Sequence, residues 1–402
     1  MYKDKILDVC DKLTALSFYL LVLGITFSNA LTEIATASII ALWIIGKILK
    51  KDYSLPGGIL SILLVLLSAW TLASFINTGY MHESIRGLFK VIKHAALFMA
   101  TIDYFRTRAR IERLVYVMFG VAFFICLNGI LQYIIGTDLI RHRTIDPYDY
   151  LHRVSSSFRH ANDFGAYLVV IIPLLMSLIF SKGRSLKMRI MLSVVLLPAF
   201  WCLVTTDSRG AWIGFLIALL YMAFMRSKKL FVIILILLLA SPLFMPHSIK
   251  DRFSDISTIN SGGTIWERIK LWSGTADMVR DHPVLGVGVN TYTKNFPKYK
   301  PADYPDVRYT HNSYLHMAAE TGIVGAGIFI AFLLILVFTA SRSIRLHKDP
   351  LERDLSLGLL AGVIGFLAHC VVDTHLYSVV LSAFIFMCLG LTVSLRRMAD
   401  GK

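Results

Sequence analysis

Apolar residues in this chain come in blocks of about twenty, separated by short polar links. A helix rises 1.5 Å per residue, so a block of that length matches the hydrocarbon thickness of a bilayer. Inside hydrocarbon each backbone N–H and C=O must find a partner within the chain, which makes the blocks helices. Twelve segments qualify: 13–28, 30–46, 58–76, 86–102, 114–136, 162–180, 188–205, 210–225, 230–245, 314–340, 355–372 and 376–395. Composition agrees. Hydrophobic residues make up 56% of the 402 and charged residues 17%, against roughly 25% charged in a soluble domain. A soluble enzyme is excluded, and the expected fold class is an all-α polytopic membrane protein. Residues 13–28 resemble a signal peptide only in isolation; the spans that follow make them a retained first helix.

The formal net charge is +15. Much of the excess sits in short loops beside apolar segments, where anionic lipid headgroups and chain orientation account for it without nucleic acid. The larger share of the 41 Lys and Arg falls on one side of the twelve segments: the N-terminus, Lys47/Lys50/Lys51, Arg106–Arg113, Lys182–Arg189, Arg226–Lys229, Arg342–Arg353 and the tail. That side is expected to be cytoplasmic, with both termini in the cytoplasm. The organisation is then nine spans over 1–245, an outer helical cap over 246–313, and three spans with a short tail over 314–402. The cytoplasmic loops contain no Gly-rich phosphate loop, so ATP-driven chemistry has nowhere to reside. No Cys-x-x-Cys metal or redox pattern is present, and neither a metal nor any other cofactor is expected.

Ionisable residues at the rim of a bilayer are expensive and point to function. Arg86, Lys90 and Lys93 share one helical face, suited to an anionic headgroup or to snorkelling. Arg209, in the short link Asp207-Ser208-Arg209-Gly210, can bind phosphate bidentately or pair with Asp207. The loop 137–161 carries Arg141, Arg143, Arg153 and Arg159 with Tyr148, Tyr150 and Phe158, which suits a phosphorylated sugar or anionic lipid. Thr264–Trp272 opens a helix in which Arg268 and Trp272 share a face; Gly286 and Gly288 beyond it read as backbone geometry. His311 sits where the outer segment re-enters the membrane and can take a proton near neutral pH, or simply cap and pack. His316 and Glu320 are spaced i, i+4, without the pattern of a zinc site. His369, Asp373 and His375 form another rim cluster, for which hydrogen bonding at a helix end is a simpler reading than a metal or proton site.

The order of motifs is Ser208-Arg209-Gly210 before a span, then W-E-R-I-K-L-W (266–272 within 264–272) followed by D-H-P-V-L-G-V-G-V-N (281–290), then H-N-S-Y-L-H-M-A-A-E-T-G (311–322). With F-R-H-A-N-D-F-G (158–165), it resembles the O-antigen ligase and polymerase superfamily of bacterial envelope glycosyltransferases. The resemblance implies a large polytopic fold like that of GT-C glycosyltransferases, set in the bacterial inner membrane. It also implies an undecaprenyl-diphosphate-linked glycan as donor and, for a ligase, lipid A–core oligosaccharide as acceptor on the periplasmic face, without metal. It assigns Arg209, Arg268 and His311 as catalytic. Arg86, Lys90, Arg153, Arg159 and Glu320 are expected to bind the diphosphate or glycan, with Glu320 also a second candidate base, and transfer is expected to invert the anomeric carbon. A polymerase of the same superfamily is the alternative, followed by a lipid-linked glycan flippase; against the latter, no internal repeat is seen and the long insertion occurs once.

Overall fold

The structure, a computed structural model, describes residues 2–145, 152–244, 264–300 and 309–401. Tyr148, Tyr150 and the 245–263 and 301–308 stretches of the expected cap lie outside the described residues. The described chain is helical, with one isolated bridge between Thr137 and Thr144. In chain order the helices are α1 (Tyr2–Phe27), α2 (Asn29–Lys50), α3 (Ile59–Ala73), α4 (Met81–Tyr104), α5 (Arg108–Ile135), α6 (Ala161–Ile179) and α7 (Leu186–Thr205). They continue as α8 (Arg209–Arg226), α9 (Lys228–Phe244), α10 (Thr264–Asp281), α11 (Tyr292–Asn295), α12 (Ser313–Ile344), α13 (Pro350–His369) and α14 (Val379–Ala399).

Each of the twelve apolar segments coincides with a long helix. Eight are long and apolar enough to cross a membrane: α2, α3 with its following turn, α5, α6, α7, α8, α12 and α14. Among the rest, α1, α4 and α13 carry several charges and α9 has only 17 residues. The centre is built from α6 and α14, whose residues are mostly buried, whereas α2, α3 and α7 keep broad apolar faces exposed. Small residues permit close approach where α8 crosses α13. A Cβ on Gly214 would fall 2.5 Å from the carbonyl oxygen of Gly365, so neither position has room for one.

Charge is divided between the two ends of the bundle. At one end ion pairs tie helix termini together: Lys47–Asp103 at 3.0 Å, Arg108–Asp349 at 2.7 Å, Arg110–Asp11 at 2.9 Å and Arg226–Asp354 at 3.0 Å. This is the end of the short basic loops. At the other end the N-termini of α2, α8, α12 and α14 begin at Ser28, Ser208, Asn312 and Ser378, each accepting a backbone N–H of its own first turn. The N-terminus of α6 joins them, and α10 with α11 covers the same end. Five helix N-termini facing one region make it favourable to anions.

The cap docks through a break in α12. Gly322 has φ 72° and interrupts the helix, and the 283–288 segment lies against the break. The carbonyls of Ala319 and Glu320, released from the helix ladder, accept Val287 N–H at 3.0 Å and Gly288 N–H at 3.1 Å. Ile323 N–H donates to Pro283 O at 2.8 Å, and the Trp70 indole donates to Thr321 O at 3.0 Å. Any Cβ on Gly322 would overlap the Val284 backbone. The glycines of 286–288 and 322 thus serve backbone geometry, and a small apolar cluster of Leu271, Met278, Val287, Tyr292, Phe296 and Ala319 forms beneath α10.

Candidate active site

His311 ends the outer segment just before the Asn312 cap of α12. It holds φ 51°, in the left-handed region that non-glycine residues seldom occupy. Its Nδ1 lies 3.2 Å from Asp373 Oδ1. Asp373 stands in the link between α13 and α14, and that link is stitched to α12: Ser313 N–H donates to Cys370 O at 2.9 Å, and Ser313 Oγ donates to Asp373 O at 2.9 Å. Asp373 also accepts Thr374 N–H at 2.8 Å and, through Oδ2, the Asn162 amide at 2.7 Å. Asn162 Oδ1 in turn accepts from Arg153 Nη2 at 2.6 Å, and Arg153 Nε donates to Thr206 O at 3.0 Å.

His311, Arg209 and Arg268 are far apart in the sequence; the fold brings them to one end of the bundle. The Trp272 indole donates to the carbonyl of Thr310 at 3.0 Å, fixing α10 beside His311, with Arg268 one turn earlier on the same face. Burial pulls the Arg268 pKa down, Asp373 pulls it up, and the positive charges of Arg209 and Arg153 push it down again. Arg153 is linked to Asp373 through Asn162, Arg209 precedes the glycine packed on His369, and Arg268 lies one turn from the Trp272 that bonds Thr310, so the three arginines converge about Asp373. Arg209 opens α8, and the next residue, Gly210, packs against the His369 ring.

Behind Asp373 the rim cluster is buried. His375 Nδ1 lies 3.2 Å from Asp163 Oδ1, and its Nε2 lies 3.2 Å from His369 Nε2. Burial resists a charge on Asp373, but His375 beside it and the bond to His311 outweigh this and hold its carboxyl well below the usual range. Burial likewise resists a proton on His375, but Asp373 and Asp163 raise its pKa above the usual histidine value. His369, Asp373 and His375 place one ligand-type atom each within 4.8 Å of one another, so among the described residues this is a group that could hold a metal ion. In the structure those atoms hydrogen-bond instead to Asn162, Thr374, His311 and one another.

Arg159 lines a cavity of about 260 Å³ together with His311, Asp373, His375, Arg141 and Arg143. Lys90 and Glu320 line a second cavity of about 110 Å³, part of whose wall is apolar: Leu64, Leu67, Met317 and Phe329. The two cavities share Tyr377, Ser378 and Val379 as a wall. Lys90 donates to Asn290 Oδ1 at 2.9 Å; Lys93, on the same stripe, finds its anionic partner in Glu33 of α2 at 2.6 Å; Arg86 is exposed. Glu320 is buried, accepts Tyr292 N–H at the start of α11 at 3.1 Å and lies 3.4 Å from His316 Nε2. The His316 ring packs against Tyr292 and Tyr377.

Two contributors are not legible in the sequence: Asp373 as the partner of His311, and Asn162 as the link between Asp373 and Arg153. Asp373 was visible only as a member of a histidine-rich rim. Asn162 sits inside F-R-H-A-N-D-F-G, with nothing in its local spacing to tie it to a residue 211 positions on.

Residues 194–330 match the family model described as O-antigen ligase. That stretch runs from α7 into α12 and contains Arg209, Arg268, His311 and Glu320; Arg86, Lys90, Arg153, Arg159 and Asp373 lie outside it. The match supports the O-antigen ligase and polymerase superfamily, whose members are membrane glycosyltransferase-like enzymes. No curated protein matches the chain.

Proposed function

We propose that this chain is an O-antigen ligase of the bacterial inner membrane, transferring a glycan from undecaprenyl diphosphate to lipid A–core oligosaccharide at its periplasmic end. The observation that carries the reading is the meeting of Arg153, Arg209 and Arg268 with an Asp373–His311 pair. An ionised Asp373 can only accept hydrogen bonds, so the neutral His311 ring carries its proton on Nδ1 and presents Nε2 as a base. The acceptor hydroxyl attacks the anomeric carbon while Nε2 takes its proton. The bond from that carbon to the diphosphate oxygen breaks, and the electron pair stays on the diphosphate. The arginines are preorganised to meet the charge developing there, and a single in-line attack inverts the anomeric carbon. The apolar part of the 110 Å³ cavity, lined by Leu64, Leu67, Met317 and Phe329, suits the first units of the lipid chain.

The test is a transfer assay with purified protein, lipid-diphosphate glycan and lipid A–core. Glycan on lipid A–core supports the proposal. Lengthening of the lipid-linked glycan without that acceptor would make the chain a polymerase, and no new glycosidic bond would refute both.

A further inference from the structure

The arginines at this end of the bundle form two groups. Arg153, Arg209 and Arg268 lie about Asp373. Arg141, Arg143 and Arg159 line the 260 Å³ cavity that also contains His311. Two members of the second group, Arg141 and Arg143, stand on a built loop, and Arg159 lies just before α6. Asp138 is buried and spends its carboxylate on backbone N–H groups of Ile140 at 2.9 Å, Arg141 at 2.8 Å and Arg143 at 2.7 Å. Gln132 donates to Arg143 O at 3.2 Å, and Arg141 Nε donates to Phe27 O at 3.2 Å. The loop is thereby ordered while its acid is occupied. The other two acids lining the cavity are engaged as well, Asp163 with His375 and Asp373 with His311 and Asn162. Among the described residues no carboxylate pairs with Arg143 or Arg159. Three like charges held around one cavity repel one another and favour entry of an anion, and a guanidinium fork suits phosphate or carboxylate.

We infer that Arg141, Arg143 and Arg159 form a second anion subsite, which binds a phosphate or carboxylate of the acceptor and so selects an anionic acceptor. The inference rests on the transferase reading given above. The donor diphosphate has the first arginine group, whereas the acceptor hydroxyl must reach His311, which shares its cavity with the second. A charged sugar in the donor glycan has the same chemistry, so the experiment must separate the two sources.

The experiment uses the full chain and measures transfer to a phosphorylated acceptor and to the same acceptor after dephosphorylation, with an uncharged donor glycan. Arg143→Gln and Arg159→Gln should each raise KM for the phosphorylated acceptor tenfold or more. Donor KM and KM for the dephosphorylated acceptor should stay within about threefold, and Arg143→Lys should restore part of the loss. An equal rise for both acceptors would mean a structural role and overturn the inference. If, in a parallel assay with an anionic donor glycan and the dephosphorylated acceptor, the variants lose affinity for that donor while acceptor phosphorylation makes no difference, the inference is overturned in favour of the donor. If no transfer occurs with either acceptor, the transferase reading fails first. Calorimetric titration with inorganic phosphate then decides the subsite: binding lost in Arg143→Gln and Arg159→Gln but kept in Arg209→Gln supports it, and binding unchanged in all three refutes it.

Discussion

Asp373 Oδ1 lies 3.2 Å from Nδ1 of His311, joining the link between α13 and α14 to the residue that ends the outer segment. The pair fixes which ring nitrogen is free to accept a proton. Asp373→Asn can bond the same nitrogen as a donor and so favours the opposite tautomer. We expect it to slow transfer by roughly 10²–10⁴-fold, the usual worth of a general base. His311→Ala should cost a similar factor, and the double variant little more, because the two act as a unit. Single-turnover rates on protein of unchanged thermal stability check this; additive losses would separate the two roles.

Arg209→Lys and Arg268→Lys keep the charge but lose the fork. Each is expected to lower kcat/KM by tenfold or more while the protein still inserts and folds. Steady-state kinetics with varied donor tests it. Full activity in both would remove the diphosphate from this cationic group.

The buried cluster predicts a pH dependence of stability. His375 has a raised pKa when folded, so its contribution is complete below the unfolded histidine value of 6.5 and is lost as pH rises through the folded value. Asp373 is depressed, so its contribution is present above the ordinary carboxyl range and lost only on strong acidification. The melting temperature of wild type should exceed that of His375→Asn most at about pH 6, and the gap should shrink toward about pH 9. A gap constant across that range would show that His375 is neutral in the fold.

The break in α12 predicts a steric effect. Gly322→Ala meets both a left-handed φ and the Val284 backbone. Backbone strain alone is worth about 1–3 kcal/mol, so the variant should melt several degrees lower. The same change should reduce transfer, since the 283–288 segment leads from α10, which carries Arg268. Differential scanning fluorimetry and the transfer assay together check this; wild-type values in both would contradict it.

Topology is tested by reporter fusions at Ser185, between α6 and α7, and at Asn260. They are expected on opposite faces of the membrane, with Ser185 cytoplasmic. Reporters on the same face would overturn the orientation.

The helices were legible because a twenty-residue apolar block has one physical solution in a bilayer. Arg209, Arg268 and His311 were legible as residues whose charge or protonation is costly at a membrane rim, and through the motifs they sit in. Their meeting was not, since it depends on α10 folding back onto the start of α12 through Trp272 and Thr310. The break at Gly322 was hidden because T-G-I-V-G reads as uninterrupted apolar helix until another segment competes for its carbonyls. Asp373 and His311 are 62 positions apart, and no local period links them. Glu320 followed the i, i+4 rule with His316, yet that rule says nothing of which cavity the pair borders.

The proposed reaction is glycosyl transfer in which His311 takes the acceptor proton. Purified wild type and His311→Ala should be compared for transfer from undecaprenyl-diphosphate-linked glycan to lipid A–core, with donor binding measured on the same samples. A base role for His311 predicts product with wild type and a loss of roughly 10²–10⁴-fold in His311→Ala at unchanged donor affinity. Robust transfer by His311→Ala would contradict it.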